Sequence, residues 1–294
     1  MRRSRPTVRL RRLAAELRRL RTKAGLTRDY VTERTNINNV TLYRIETAKT
    51  RPHNRTLITL LDLYGVDAEQ RGQLLTLSKE SVAQGWLRPY HQDLREEYTA
   101  YISFETEAAS VRNYESLFIP GLLQTEDYAR AAIRGGLPMV GQQEVDDRVQ
   151  ARLERQLVLV KHHPLKLWAI VDEAVLSRIV GGAAVMHAQL ERLLALAKEP
   201  HVTLQLIPFG AGAHAGMFGA FVVMDFPDPM DTDLVYIESM AGDLFLESDA
   251  EVGHYNGIFD TLRAIALSPD DTALWIAELA SELEEQKGGD TRHE

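Results

Sequence analysis

Asn39, Val40 and Arg44 are the side chains whose types and spacing point most directly to chemistry. An asparagine carboxamide can bond adenine in a bidentate way, an arginine can do so with guanine, and a valine can pack against a thymine methyl group. If Leu42 and Ile45 face a core, helical spacing places Asn39, Val40, Tyr43, Arg44 and Thr47 around the other side, with Asn39 and Val40 in the first turn. A recognition helix usually reads base edges from that end. Taken singly, an Asn or Arg reads better as a solvated side chain, so the segments around them have to decide.

Charge separates the chain into two parts. Residues 1–55 hold 16 Lys and Arg against 4 Asp and Glu, while the remaining 239 residues hold 18 against 38. The first part suits a polyanion; the second suits solvent or a different partner. With no cysteine in 294 residues, disulfide-stapled scaffolds and zinc ribbons or fingers are excluded, and a reducing cytoplasm fits. No apolar run approaches the roughly 18 residues of a membrane span, so no membrane partner is expected. Arg2, Arg3 and Arg5 could follow a minor groove or form a frayed tail.

Leu10, Leu13, Ala14, Leu17 and Leu20 recur at helical spacing, and Gly25 ends that helix. Thr27 is then a good N-cap, Asp29 complements the positive end of the next helix, and Leu26 can reach Val31 as a hydrophobic staple. The arrangement recurs eleven residues later, with Asn38 as cap and Ile37 and Leu42 as staple. Asn36 falls where the intervening turn needs a left-handed residue. Asn54 is placed as the cap of a fourth helix, and residues 67–82 read as a fifth.

Two short capped helices around a tight turn are helix-turn-helix grammar. The run Leu26-Thr27-Arg28, then Ile37-Asn38, then Leu42 to Glu46 resembles the lambda-repressor-like, or xenobiotic-response-element, family of DNA-binding domains. Asn36 and Ala48 depart from it, each replacing a usual glycine. The resemblance implies five helices in about 75 residues, base contacts by Asn39, Val40 and Arg44, and phosphate contacts by Arg28, Thr41, Tyr43, Lys49 and Arg51. Glu46 is expected to pair with a base of its own domain, since a carboxylate beside phosphate is repelled.

Composition shifts at Gln84, which places one domain at 1–83 and a second at 84–294. Phe104 to Ser110, with the run from Pro120-Gly121-Leu122-Leu123-Gln124-Thr125 to Tyr128-Ala129-Arg130-Ala131, resembles the C-terminal domain of unknown function that follows a helix-turn-helix in many actinobacterial regulators. Thr125 is a helix cap there. Four strands are expected, at Lys166 to Val171, Val202 to Pro208, Phe218 to Phe226 and Leu234 to Met240. Helices are expected at 144–161, 173–198, 248–266 and 271–286. The fold class is therefore mainly α, with a five-helix DNA-binding domain followed by a larger α+β domain holding a mixed sheet of about four strands.

Arg148, Arg152 and Arg155 share a helical face that could hold an anion or an acidic partner, or could be solvated with Glu144 beside Arg148. Gly210, Gly212, Gly216 and Gly219 bracket His214 in a loop read as a mobile hairpin or pocket lid. Arg148, Arg152, Arg155 and His214 are the candidate partner or ligand surface. The histidines show no metal-ligand spacing, no cofactor is expected, and no nucleophile-elbow, phosphate-loop or zinc-protease motif supports an enzyme. The expected function is sequence-specific transcriptional regulation by a homodimer on double-stranded DNA. Resemblance implies pairing with a small protein encoded by a neighbouring gene, in a toxin-and-antitoxin-like arrangement. A small-molecule effector, and an enzyme with an autoregulatory DNA-binding module, are the alternatives.

Overall fold

The computed structural model describes residues 7–80, 96–227, 231–239 and 242–290. They form two compact units. The boundary expected at Gln84 lies outside the described residues, as do Arg2, Arg3 and Arg5.

The first unit contains α1 (Val8–Lys23), α2 (Arg28–Thr35), α3 (Asn39–Glu46), α4 (Asn54–Leu63), α5 (Ala68–Glu80) and α6 (Glu96–Glu107). Leu13, Leu17, Leu20, Val31, Leu42, Ile45, Leu57, Leu60 and Leu61 make one core, and Leu26 and Ile37 pack against it from the staple positions. Thr27 accepts from the Tyr30 amide and Asn38 from the Val40 amide, so both expected caps satisfy orphan donors at helix starts. Asn36 takes the left-handed conformation at φ 57°, and Ala48 does the same at φ 54°. The chain therefore leaves α3 through the turn a glycine would make, with a methyl group carrying the strain. Asn54 is not a cap. His53, extended after the buried Pro52, supplies the first carbonyl of α4 without a side-chain bond, and Asn54 is the first helical residue.

The second unit is built on a mixed sheet of six strands: β1 (Ser110–Glu115), β2 (Lys166–Asp172), β3 (Val202–Ile207), β4 (Phe221–Asp225), β5 (Leu234–Ile237) and β6 (Leu244–Leu246), in the order β3-β2-β1-β4-β5-β6. The first three run parallel, and β4, β5 and β6 continue the sheet antiparallel. The expectation of four strands missed β1 and β6. Strand β1 reads Ser-Val-Arg-Asn-Tyr-Glu, which lacks an apolar run, yet it pairs on both edges. Its polar groups are met across the sheet: Asp225 accepts from both Ser110 and Arg112, and Asn113 donates to the Phe221 carbonyl. Strand β6 has three residues, too few for a pattern. Phe218 lies in a short 3-10 turn before β4 rather than within it, and β5 stops at Ile237.

Helices α7 (Glu126–Gly136), α8 (Gln142–Arg155), α9 (Glu173–Ser177) and α10 (Ala183–Leu196) connect the parallel strands, and α11 (Asp249–Ile265) and α12 (Pro269–Asp290) follow β6. The helices expected over most of 173–198 are α9 and α10, separated at residues 178–182, where Gly181 and Gly182 take φ of 76° and 89°. A β-carbon on Gly181 would also press within 3.0 Å of Val185 and Ala131. The apolar stripe of α8 buries Val145 and Val149 with Leu153 beside them, but Leu157 and Val160 are exposed because the helix ends at Arg155. Thr125 caps α7 as expected, accepting from the Tyr128 amide. Val252, Phe259 and Leu262 of α11 cover Tyr114, Ile170, Phe221, Val223 and Val235 on one sheet face. No helix among the described residues is long and apolar enough to cross a membrane.

Candidate nucleic-acid interface

Helix α3 is held from behind. Leu42 and Ile45 are at most 1% exposed, and Glu46 at its last turn is buried against α1, where Arg21 Nε and Nη2 donate to its two carboxylate oxygens at 2.5 and 3.1 Å. Arg21 Nη1 also donates to the Leu26 carbonyl at 2.7 Å, so one guanidinium fastens α1 to the end of α3 and to the residue before α2. Glu46 raises the Arg21 pKa through the same bonds. The expected intradomain role of Glu46 has its partner in Arg21.

The opposite flank is open. Val40 is 58% exposed, and Thr41, Tyr43 and Arg44 are exposed around it. Asn39 is half-buried because its side chain reaches back to α2, where Nδ2 donates to Asp29 Oδ1. Three of the residues expected at phosphate positions come together: the Arg28 guanidinium and the Lys49 ammonium lie over the Tyr43 ring, 5.3 and 5.1 Å from its centroid. Cations at such distances are attracted by the ring quadrupole. Lys49 arrives there because the left-handed Ala48 turns the chain back, so that the Lys49 and Thr50 amides donate to the Arg44 carbonyl. Arg51 follows, exposed. The flank thus joins exposed Val40 and Arg44 and an anchored Asn39 to a cationic stack on Tyr43.

The four residues singled out in the second unit are arranged otherwise. Arg148 pairs with Glu144 at 2.8 Å, as their spacing predicts. Arg152 donates to Gln124 Oε1 at 2.9 Å, and Arg155 is 5% exposed, its Nη2 so near Gly121 that a β-carbon there would lie 3.0 Å away. Arg152 and Arg155 therefore turn onto the Gly121–Gln124 turn, while Arg148 pairs along its own helix. Gln156 adds bonds to the Gly121 and Gln124 carbonyls. Gln189, fully buried, accepts from the Thr125 amide and donates to the Leu123 carbonyl. The Pro120-to-Thr125 run is thus a backbone turn held by side chains from α8 and α10. His214 belongs to different contacts: Nε2 lies 3.3 Å from Asp172 Oδ2, and the ring meets Tyr114 edge-on.

Two features escaped sequence reasoning. The bond from Asn39 to Asp29 crosses the turn between helices, and no periodicity signals such a contact. Glu115, at the end of β1, has its carboxyl pushed up to about 7, chiefly by burial. A bond from Asn113 opposes that shift, Glu238 adds to it, and Arg152 and Arg155 pull against it. With β1 unrecognised, nothing marked Glu115 as enclosed.

These features define a helix-turn-helix protein whose chain continues into a second, α+β unit. A family model described as a helix-turn-helix domain matches residues 12–74. Another, described as a domain of unknown function (DUF5753), matches residues 98–278, and the chain belongs to that family. No curated protein and no solved structure matches it. A helix-turn-helix followed by this domain suggests DNA-binding regulation.

Proposed function

We propose that the protein is a sequence-specific transcriptional regulator of the lambda-repressor-like type, which lays α3 in the major groove and reads bases with Asn39, Val40 and Arg44. The observation that carries this reading is the outer flank of α3: exposed Val40 and Arg44 next to Arg28 and Lys49 gathered on Tyr43. Phosphate contacts from Arg28, Thr41, Tyr43, Lys49 and Arg51 set the register, and base contacts choose the sequence. One such module buries a small interface, so useful affinity calls for a homodimer on two half-sites about one helical turn apart. DNA as the partner makes the cytoplasm its working compartment.

Arg44→Ala is expected to cost about 1 to 3 kcal/mol on the chosen duplex and to relax the choice at one base position. Arg28→Ala should weaken all duplexes alike and reduce the salt slope by about one. Binding to a duplex selected from a random pool, titrated against scrambled competitor at several salt concentrations, checks both. Equal losses on selected and scrambled DNA for Arg44→Ala would remove it from the readers.

The second unit we read as regulatory and not catalytic, receiving a small protein encoded nearby, as in an antitoxin-like pair, or a small effector. One observation favours the protein partner. Leu117, Phe118, Ile179, Phe209, Met217 and Phe218 are all exposed, Phe218 completely, on the loops that follow β1 to β3 and precede β4. The ends of β1 to β3 and the start of β4 lie at the same end of the sheet. Several large apolar side chains exposed on loops at one end of a sheet suit a protein contact better than a solvent face. Adding the purified products of neighbouring open reading frames, and separately a small-molecule extract, to the operator complex distinguishes the two inputs by which one changes the gel shift.

A further inference from the structure

Asp29 and Asn39 sit ten residues apart, near the starts of α2 and α3, and the turn between the helices brings Asn39 Nδ2 to 2.5 Å from Asp29 Oδ1 as its donor. We propose that Asp29 is a positioning residue for base selection: it holds the Asn39 carboxamide in one orientation, and its charge lowers affinity for DNA of any sequence. The inference rests on the DNA-binding reading above and assigns selectivity within it to a residue that touches no base.

The chemistry follows from what each group can offer. An ionised carboxylate only accepts, so it bonds the amide nitrogen of Asn39 and repels the amide oxygen. Turning the carboxamide over would set Oδ1 against Asp29, two acceptors face to face. The flipped form is thereby suppressed. With one Nδ2 hydrogen committed to Asp29, the amide has Oδ1 and one hydrogen left, an acceptor beside a donor. Adenine presents the matching pair, its N6 amino donor and N7 acceptor. Guanine presents two acceptors, O6 and N7, and satisfying both would need the hydrogen that Asp29 already holds.

Charge adds the second effect. Asp29 is exposed, immediately beside Arg28 and bonded to a residue of the DNA-facing flank. A carboxylate there repels phosphate on every sequence, whereas the orientation it imposes helps only on duplexes with the right base. The two effects together widen the gap between chosen and random DNA.

An ordinary structural role for Asp29 also exists, because an acidic residue in the first turn of α2 complements the helix dipole. Alanine and asparagine at this position both remove that charge, and only asparagine keeps an oxygen that can accept from Asn39 Nδ2. The pair therefore distinguishes the roles. A preferred duplex is first selected with the full chain from a randomised pool, and every variant is titrated on that duplex, on its single-base replacements and on scrambled DNA. Asp29→Ala is expected to reduce the adenine-over-guanine preference at one base by about 5- to 10-fold. It is also expected to raise affinity for scrambled DNA by about two- to fivefold. Asp29→Asn is expected to raise affinity for scrambled DNA equally and to keep part of the base preference, between Asp29→Ala and the wild type. Its amide oxygen can still accept from Asn39 Nδ2, while its NH2 can also donate to a flipped Asn39. In an Asn39→Ala background, Asp29→Ala should change the base preference no further.

Loss of preference in Asp29→Asn as large as in Asp29→Ala would overturn the inference, as would an unchanged preference in Asp29→Ala. A wild-type chain that selects no duplex would instead refute DNA recognition itself, and the role of Asp29 with it. Selection by the wild type with the Asp29 variants indistinguishable from it would leave DNA recognition standing and remove Asp29 alone.

Discussion

Replacing Glu46 by alanine is expected to destabilise the helix-turn-helix unit by about 3 to 5 kcal/mol, because it leaves the Arg21 guanidinium enclosed without its carboxylate. The side chains of Arg21 and Glu46 are 14% and 4% exposed, and their two bonds join α1 to the last turn of α3. A unit of this size has total stability on the order of 5 kcal/mol, so most of it would be lost. Tyr64 feels the same environment, with burial first and Glu46 second raising its hydroxyl pKa. The effect belongs to the broken pair and not to the loss of carboxylate alone. Arg21→Met combined with Glu46→Leu should therefore retain much of the stability that Glu46→Ala removes. Amide hydrogen exchange across α1 to α5 is the measurement. Full protection in Glu46→Ala, or a double variant less protected than Glu46→Ala, would contradict the account.

The second large effect concerns pH. Glu115→Gln is expected to stabilise the second unit by about 1 to 3 kcal/mol at pH 8 and to leave it nearly unchanged at pH 4. Burial dominates the carboxyl's shift to about 7 from an ordinary value of 4.5. Between those two values the folded chain keeps a proton that the unfolded chain has released. The stabilisation from the raised pKa is thus complete below 4.5 and is lost as pH rises through 7. Asn113 can donate to a glutamine oxygen as it does to Glu115 Oε1, at 3.4 Å, so the substitution preserves that contact. Thermal unfolding of both chains from pH 4 to 8 tests this. Curves that stay parallel across the range would show that Glu115 does not titrate near neutrality.

The first unit was legible because its signals are local. Thr27 and Asn38 needed only neighbouring amides to act as caps, and Leu26, Val31, Ile37 and Leu42 needed only helical spacing to reach one core. Asn36 tolerates the left-handed turn that its position requires, and Ala48 adopts the same conformation at the cost of strain. Asn54 misled because Pro52 and His53, not a side-chain acceptor, start α4. The central strand that was missed depends on a distant partner. Strand β1 is polar in sequence and central in space, since Asp225, 113 residues beyond Arg112, accepts from that strand's side chains. The arginines of α8 carry no mark of whether they face water or the Gly121–Gln124 turn, 28 residues back in the chain for the Arg152 bond to Gln124.

Caps, staples and the charge split between the two parts are properties of neighbouring residues, and the amino-acid order alone determined them, together with the helix that faces outward. Which residues that helix holds in place, which carboxyl loses its water, and which arginines turn inward depend on contacts between segments far apart in the chain. Only the tertiary structure decided those, because desolvation and hydrogen-bond pairing arise where packed surfaces meet and leave no periodic trace in either segment.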